Sequence, residues 1–380
     1  MKKVLILLLM IFTLAGCSQT DDTEEPTEDY IKLLDKENLN SSYIEWYGRH
    51  IVQNNRVYFY HTATGFKVLF HGRVLNITMH LEDKNHDIYY SVGKDGEDLV
   101  SSEVFVQSDE ISILTIEFDS YADHTVEVVK RSEPEDGITS IESIETNGYF
   151  KEVLTNDEQP HFLIMGASGI SGHGALGSPG QPRTTLNSSS LHAFGYLTAK
   201  AFRGSYEFVA NSGWGLKFGY NDPSGEVNIA KAYDYIGIDH NQDIVEIEYN
   251  HAKVPDYIII NLGGNDYTAV INRLSGFDKT EKILEFKQEV ASFILKLRSD
   301  APNAHILWTM TEGSQNGTAA NEVFAQLSED DKAFVHMVII QQVGDDEDLA
   351  GANGHASYIT HQKSAQNLID VINDIVANGL

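Results

Sequence analysis

Residues 162–174 read Phe-Leu-Ile-Met-Gly-Ala-Ser-Gly-Ile-Ser-Gly-His-Gly, a short apolar run that passes directly into a glycine-rich turn. Four apolar residues in succession, ended by glycine, are typical of a strand that is buried on both faces. Similar apolar runs recur at 206–210, 257–262, 305–310 and 335–340. This recurrence predicts a sheet of parallel strands with both of its faces covered.

Two long stretches beside these runs have the periodicity of amphipathic helices. Residues 280–298 place one apolar stripe at Ile283, Phe286, Val290, Phe293 and Leu297, and residues 360–377 repeat the pattern. Strands that alternate with such helices predict an α/β fold, whose ligand site lies at the C-terminal ends of the strands. Candidate chemistry is therefore expected from Gly166 onward, from Ser212 onward, from Gly263 onward and in the loop before Thr360.

The N-terminal half has a different pattern of apolar residues. Short aromatic and β-branched segments at 56–60, 66–70, 74–79, 111–118 and 125–129 are separated by Gly, Asp and Asn. Such spacing predicts a β-sandwich or jelly roll. Because 380 residues are too many for one typical core, we expect two domains, a β-sandwich over 38–145 and an α/β domain over 146–380.

The N-terminus predicts export. Lys2 and Lys3 precede an apolar run that ends at Leu14, which fits a signal peptide over 1–16 and is shorter than the roughly 20 residues that span a bilayer. Leu14-Ala15-Gly16-Cys17 resembles the lipobox of bacterial lipoproteins, which implies a lipid on Cys17, the single cysteine. We therefore expect the protein on the outer face of the bacterial cell membrane, with residues 17–37 as a lipidated, acidic linker.

Charge narrows the possible partners. The chain carries 27 Lys and Arg against 56 Asp and Glu, a formal net charge of −29. Phosphates would be repelled, so nucleic acid is not expected as a partner. The same negative charge argues against adsorption to anionic lipid through a basic face, so membrane attachment would depend on the lipid at Cys17.

Ser168 is the candidate nucleophile, because small neighbours at a strand end let a substrate approach its hydroxyl. A turn with an incidental serine is the alternative. Gly172-x-Gly174-x-x-Gly177 matches the dinucleotide fingerprint, but Ser178-Pro179-Gly180 follows where a helix should begin. The nucleophile elbow Gly-x-Ser-x-Gly also fails, since Ile170 stands at its last position.

Glycine and asparagine follow two other predicted strands, at Ser212-Gly213-Trp214 and at Gly264-Asn265-Asp266. They are ordinary turn residues, but together they can direct a backbone N–H and a side-chain amide at one oxyanion. His355 lies in the loop before the last helix and is the candidate general base. His361 is a weaker candidate, because it falls in the first turn of that helix.

These four blocks in this order resemble the SGNH (GDSL-like) hydrolases, which have a three-layer α/β fold with a parallel sheet. The preceding β-domain is similar to that of carbohydrate esterase family 2, whose members deacetylate plant polysaccharides such as xylan. The similar segments are Gly48-Arg49, residues 65–72 and residues 124–131. The resemblance covers roughly residues 45–380.

The resemblance implies a role for each block. Ser168 attacks the acyl carbonyl, and His355 is the general acid/base. The backbone N–H groups of Ser168 and Gly213, with the side-chain amide of Asn265, hold the oxyanion. Trp214 would wall the acyl pocket, although a packed core indole is an equal alternative. Water then releases acetate from the acyl-enzyme.

Three positions depart from the family pattern: Ala167 stands in place of Asp, Asn353 in place of the Asp two residues before the histidine, and Ala356 in place of Pro. Asn353 carries no charge, so we expect a Ser–His dyad in which an amide or a backbone carbonyl orients His355. Other sources of charge in the same loop are Asp345, Asp346 and Asp348.

The resemblance thus implies a carbohydrate O-acetyl esterase that acts on xylan-like poly- or oligosaccharide, and we expect no cofactor or metal. Asp83-x-Asn85-x-Asp87 begins like a calcium loop, but Ile88 stands where glycine is required. Two alternatives remain open, an esterase for another acyl chain or glycan and a catalytically impaired carbohydrate-binding protein of the cell surface.

Overall fold

The computed structural model describes residues 30–154, 158–251, 253–343 and 349–379. The predicted signal peptide, Cys17 and residues 18–29 of the predicted linker lie outside these ranges, as do Asp345, Asp346 and Asp348. Within the described residues, no helix is long and apolar enough to cross a membrane.

An antiparallel sheet comes first along the chain. Its ten strands among the described residues are β1 (Leu33–Leu34), β2 (Ile44–Tyr47), β3 (His50–Gln53), β4 (Arg56–Phe59), β5 (Gly65–Lys84), β6 (Ile88–Lys94), β7 (Glu103–Gln107), β8 (Ile111–Lys130), β9 (Gly137–Thr146) and β10 (Tyr149–Lys151). The main path of the sheet is β3-β4-β9-β5-β8-β6-β7. β1 comes from the segment predicted as linker, and it pairs with β9.

Two strands are longer than the sequence predicts. The separate segments predicted at 66–70 and 74–79 form the single 20-residue strand β5, and those at 111–118 and 125–129 form the single strand β8. The β5–β8 register shifts between Gly72 and Val74. A Cβ at Gly72 would lie 2.8 Å from Thr146 Oγ1, so glycine allows the close approach here. What was interpreted as a turn is an irregularity within one strand.

The predicted parallel sheet is confirmed. Its strands are β11 (His161–Gly166), β12 (Ser205–Ala210), β15 (Tyr257–Asn261), β16 (His305–Met310) and β17 (Val335–Ile339), in the order β12-β11-β15-β16-β17. Every neighbouring pair is parallel. A separate antiparallel pair joins β13 (Tyr235–Ile238) to β14 (Ile244–Glu248).

Helices cover both faces of the parallel sheet. They are α1 (Ser168–Ser171), α2 (Phe194–Ala201), α3 (Ile229–Ala232), α4 (Gly276–Asp300), α5 (Gln315–Phe324), α6 (Glu329–Lys332) and α7 (Tyr358–Ala377). Ile258 and Ile260 pack in one core with α4 and α5, whereas Ile259 packs in the other core with α2 and α7. Successive side chains of a strand point to opposite faces, which is why a continuous apolar run is needed.

One loop of the antiparallel sheet contacts the parallel sheet at the C-terminal end of a strand. Residues 131–136 join β8 to β9, and Glu133 in this loop accepts a hydrogen bond of 2.8 Å from the backbone N–H of Ser212. Ser212 lies just beyond the C-terminal end of β12. This loop therefore reaches the edge at which the candidate residues converge.

Candidate active site

A cavity of about 290 Å³ lies at the C-terminal ends of the parallel strands. Its lining includes Ser168, Trp214, Asn265 and His355, which the sequence placed in four separate blocks. The four blocks meet because the C-terminal ends of parallel strands share one edge of the sheet. Gly213 precedes Trp214 and is not itself part of the lining.

Ser168 begins the short helix α1, directly beyond β11. Ala167 is the N-cap residue of this helix, and the half-buried Ser168 side chain lines the cavity. Glycine suits the next position, because a Cβ at Gly169 would lie 2.7 Å from Asn261 Oδ1 and the Asn261 side chain would have to move. This local geometry supplies the open approach that the glycine-rich segment predicted.

His355 is oriented by a backbone carbonyl. Its Nδ1 lies 3.1 Å from the carbonyl oxygen of Asn353, so Nδ1 carries the proton and Nε2 is the basic nitrogen. Asn353 has a φ of +55°, in the left-handed region. The predicted orienting role of Asn353 is thus compatible with the structure through its main chain, and its side-chain amide has another partner.

Ser168 and His355 line the same cavity without a direct bond. Among the described contacts, no hydrogen bond of 3.5 Å or less joins the Ser168 hydroxyl to the His355 ring. Such bonds in ligand-free sites are often long and tighten only when substrate binds. Burial lowers the pKa of His355, and the nearby His173 lowers it further. Both effects favour the uncharged imidazole, which is the form that a general base requires.

Asn265 is held with its amide at the cavity. Its Nδ2 donates one N–H to the carbonyl of Trp214 at 2.7 Å, and an amide nitrogen has a second N–H to offer. Gly213 has a φ of +82°, a conformation that favours glycine. The second N–H of Asn265 is thus available at the cavity, as the predicted oxyanion role requires.

Asp266 holds the loop that follows Gly213, a role that the sequence did not suggest. Its carboxylate accepts backbone N–H bonds from Leu216, Lys217 and Phe218 at 2.9, 2.7 and 2.8 Å. Burial raises the pKa of Asp266 to about 6, although these N–H donors oppose the shift. Adjacent residues therefore place the amide of Asn265 and fix the opposite loop.

Trp214 has features of both predicted roles, a wall of the acyl pocket and a packed core residue. Its indole is fully buried in the core that includes Leu216 and Ile229, and its Nε1 donates to Gln242 Oε1 at 3.2 Å. It also contributes to the cavity lining. Trp214 is thus a core residue beside the proposed oxyanion site.

His361 has the contacts of a structural histidine. It is 2 % exposed, and its Nδ1 accepts the backbone N–H of Phe194 at 3.4 Å. Burial lowers its pKa to about 3. A nitrogen that already accepts a backbone hydrogen bond is poorly placed to take the proton of Ser168, so His355 remains the better base.

A buried polar group that no sequence pattern indicated lies beside His355. His173 Nδ1 lies 3.2 Å from Glu133 Oε1 and 2.9 Å from Ser212 Oγ, and its Nε2 lies 3.3 Å from Asn353 Nδ2. The rings of His173 and His355 have centroids 4.3 Å apart. His173 lies in the glycine-rich segment and Glu133 follows a segment similar to the family, but no spacing connects the two residues.

An arginine neutralises the carboxylates around Glu133. Ligand atoms of Glu133, Glu135 and His173 lie within 4.8 Å of one another, a spacing that could hold a metal ion. Arg183 already provides a cation there, at 3.5 Å from Glu133, 3.8 Å from Glu135 and 2.6 Å from Asp136. Burial by itself would raise the pKa of Glu133, but the hydrogen bond from His173 and the charge of Arg183 hold this pKa at about 2.

No family model matches the chain. An acetylxylan esterase / glucomannan deacetylase of Cellvibrio japonicus (strain Ueda107) is 29% identical over 185 residues, which are 48% of this chain and 49% of the relative. The chain therefore spans about half the length of this curated relative.

Solved structures show the fold over nearly the whole chain. An acetyl xylan esterase from the rumen bacterium Butyrivibrio proteoclasticus superposes with a TM-score of 0.77 at 19% identity, covering 92% of this chain and 99% of that one. A family two carbohydrate esterase from Cellvibrio japonicus gives a TM-score of 0.74 at 18% identity, covering 90% and 97%.

The fold is the GDSL/SGNH-like fold, with a parallel sheet and a cavity at its C-terminal edge. The relatives and structural neighbours of this chain include acetylxylan esterases and a family two carbohydrate esterase, so the predicted resemblance to that esterase family is confirmed. The predicted lipoprotein signal peptide lies outside the described residues.

Proposed function

We propose that the protein is a carbohydrate O-acetyl esterase that removes acetyl groups from poly- or oligosaccharide. The observation that carries this proposal is the convergence of Ser168, Asn265 and His355 on one cavity, with Nε2 of His355 left as the basic nitrogen. The acetylxylan esterase and glucomannan deacetylase names of the similar proteins support a xylan-like or related substrate.

The proposed reaction passes through an acyl-enzyme. Nε2 of His355 takes the proton of Ser168 while the hydroxyl oxygen attacks the acetyl carbonyl carbon. The developing oxyanion is stabilised by the N–H groups of Ser168 and Gly213 and by the free N–H of Asn265. His355 then returns the proton to the departing sugar oxygen, and water, activated in the same way, releases acetate and restores Ser168.

In this proposal Ser168 and His355 form a catalytic dyad. The carbonyl of Asn353 fixes the tautomer of His355, which is the orienting task that a triad aspartate performs. Burial lowers the pKa of His355, which favours the free-base form. A carboxylate in direct contact with the imidazole is thus not required for orientation.

Hydrolysis of 4-nitrophenyl acetate by protein lacking residues 1–20 tests the site. Ser168→Ala and His355→Ala should each abolish turnover, whereas unchanged turnover in Ser168→Ala would refute the assignment. Ser171→Ala is the matched control, because Ser171 lies in the same helical turn, is fully buried and is not part of the cavity lining. Acetate release from acetylated xylan then tests the substrate class.

A larger acyl group is the second candidate. Beyond Ser168, the cavity lining continues to the apolar side chains Phe194, Met310 and Ile340. Turnover of a series of 4-nitrophenyl esters of increasing acyl length would distinguish an acetyl esterase from an esterase for a larger acyl group. A preference for acetyl over butyryl supports the acetyl esterase, and loss of that preference favours the larger acyl group.

The proposal also covers the architecture of the N-terminal sheet and the attachment of the protein to the membrane. We infer that the ten-stranded sheet is a jelly-roll-like β-sandwich, because Val57 and Phe59 of β4 share one buried core with Ile88 and Tyr90 of β6, a strand with which β4 does not pair. We also propose that the protein is exported and held on the outer face of the bacterial membrane by a lipid on Cys17. Incorporation of labelled palmitate that is lost in Cys17→Ala is the expected result.

A further inference from the structure

A buried carboxylate of the antiparallel sheet lies close to the proposed base. Glu133 is fully buried, and its two oxygens are both engaged, Oε1 with His173 Nδ1 at 3.2 Å and Oε2 with the N–H of Ser212 at 2.8 Å. A buried carboxylate is costly unless it is paired and hydrogen-bonded. These bonds and Arg183 satisfy Glu133 and fix its position.

His173 extends this contact to the loop of His355. An amide nitrogen only donates, so the 3.3 Å contact from Asn353 Nδ2 makes Nε2 of His173 the acceptor. Nδ1 of His173 then carries the ring proton and faces Glu133 and the Ser212 hydroxyl. The hydrogen bonds therefore run in one direction, from Asn353 through His173 toward the carboxylate.

Asn353 connects this chain to His355. Its side chain is held by His173 while its carbonyl accepts the Nδ1–H of His355 at 3.1 Å. Its φ of +55° is tolerated by asparagine better than by most residues, but it still needs surrounding contacts to hold it. Release of the side chain would let the peptide rotate and withdraw the carbonyl from His355.

We propose that Glu133 and His173 are positioning residues that act on His355 through Asn353. They supply, from another part of the fold, the orientation and the negative charge that an aspartate at position 353 would provide directly. The hydrogen-bonded chain stands on its own geometry, and only its effect on turnover rests on the proposed esterase function.

The charges around this chain define the expected direction of its effect. His173 and His361 lie near the imidazole of His355, and Glu133 lies behind His173. Arg183, Glu135 and Asp136 surround Glu133. Burial and His173 lower the pKa of His355, whereas the Asn353 carbonyl and Glu133 raise it. Removal of the Glu133 charge should therefore lower this pKa further.

The first experiment observes His355 without turnover. Protein lacking residues 1–20 is labelled with ¹⁵N in histidine, and the His355→Asn variant identifies the His355 ring signals. In the unaltered protein we expect the proton on Nδ1. In Glu133→Gln we expect a mixture of tautomers and a titration midpoint at lower pH, and unchanged signals would overturn the proposal.

Kinetics provide the second readout. Glu133→Gln should lower kcat for 4-nitrophenyl acetate at least about tenfold, less than the roughly 10⁴-fold loss that a wrong histidine tautomer causes in serine proteases. The acidic limb of the pH profile should move to lower pH. The matched control is Glu207→Gln, which removes another buried carboxylate, paired with Arg49 and outside the cavity lining. This control should lower stability and leave the midpoint unchanged.

A further variant covers the case in which Glu133→Gln does not fold. His173→Phe keeps a ring against His355 and removes both nitrogen contacts, so it should cause the same loss of kcat and the same change of tautomer. Where both fold, the double variant should lose no more than the larger single loss, because both residues act in one chain. Additive losses would overturn the proposal. Unaltered protein without turnover refutes the esterase function and leaves the spectra to decide the positioning role.

Discussion

At the scale of single residues, two asparagines have separate roles in the proposed site. Asn265 uses one N–H on the Trp214 carbonyl, which leaves the other N–H for an oxyanion. Asn353 uses its amide on His173 and its carbonyl on His355. The first would act on the substrate and the second on the base, so their substitutions should have different kinetic signatures.

Asn265→Ala should lower kcat by about 10²–10³-fold, the usual cost of removing one oxyanion donor. The KM for 4-nitrophenyl acetate should change little, because this donor acts mainly on the transition state. Steady-state kinetics measure both constants. An unaltered kcat would exclude Asn265 from the oxyanion site.

The pH dependence of activity follows from His355. Burial first, and then His173, lower its pKa from the ordinary value of 6.5. The base form is the active one, so kcat/KM should rise with pH through a midpoint below 6.5 and stay level above it. A profile of kcat/KM against pH, measured with an ester whose leaving group is followed at its isosbestic point, checks this. A midpoint above 6.5 would contradict it.

At the scale of secondary-structure elements, the candidate site is formed by loops, and the strands that precede these loops determine where they meet. The loop after β12 is held by the carboxylate of Asp266, which itself follows β15. A loop from the antiparallel sheet meets the same loop at Ser212 through Glu133. Three loops from different strands are thus joined by carboxylate contacts to backbone N–H groups.

Asp266→Ala should destabilise the protein by roughly 3 kcal/mol or more, because three N–H groups lose their buried acceptor and each costs about 1–3 kcal/mol. The loop that contains Gly213 would loosen, so kcat should fall as well. Urea unfolding gives the change in stability, and kinetics give the change in kcat. Asp266→Asn keeps one acceptor oxygen and should lose less on both measures, while equal losses would contradict the account.

At the scale of the whole molecule, a buried arginine joins the antiparallel sheet to the parallel one. Arg49 is fully buried, donates to the carbonyls of Tyr233 and Tyr235 at 2.8 Å each, and pairs with Glu207 at 3.1 Å. Its guanidinium also lies 4.4 Å from the ring centroid of Tyr249. Burial would raise the pKa of Glu207, but Arg49 holds it at about 2.

Arg49→Ala should lower the free energy of unfolding by about 3–5 kcal/mol, because it leaves the buried charge of Glu207 without its partner. Arg56→Ala is the matched control, since Arg56 pairs with Glu82 at 2.9 Å in a partly exposed position. A pair of that kind contributes about 0–1 kcal/mol. Denaturant unfolding of both variants makes the comparison, and equal losses would contradict the assigned role of Arg49.

Much of this architecture was predictable because its signals are local. A continuous apolar run reports a strand covered on both faces, whichever helices cover it. Ser168, Asn265 and His355 were identifiable since each is in or beside a short glycine-containing loop. The long strands β5 and β8 were not predicted, because a turn and a register shift at glycine leave the same local pattern.

Sequence patterns alone specified the parallel sheet and the candidate residues at its C-terminal edge, since periodicity and turn chemistry are properties of neighbouring residues. Folding of the whole chain decided what orients His355 and what lies behind it. The contacts of His173 with Glu133 and Asn353 join positions 40 and 180 residues apart. No local pattern records such a pairing, because it exists only when the antiparallel sheet places its loop against the edge of the parallel one.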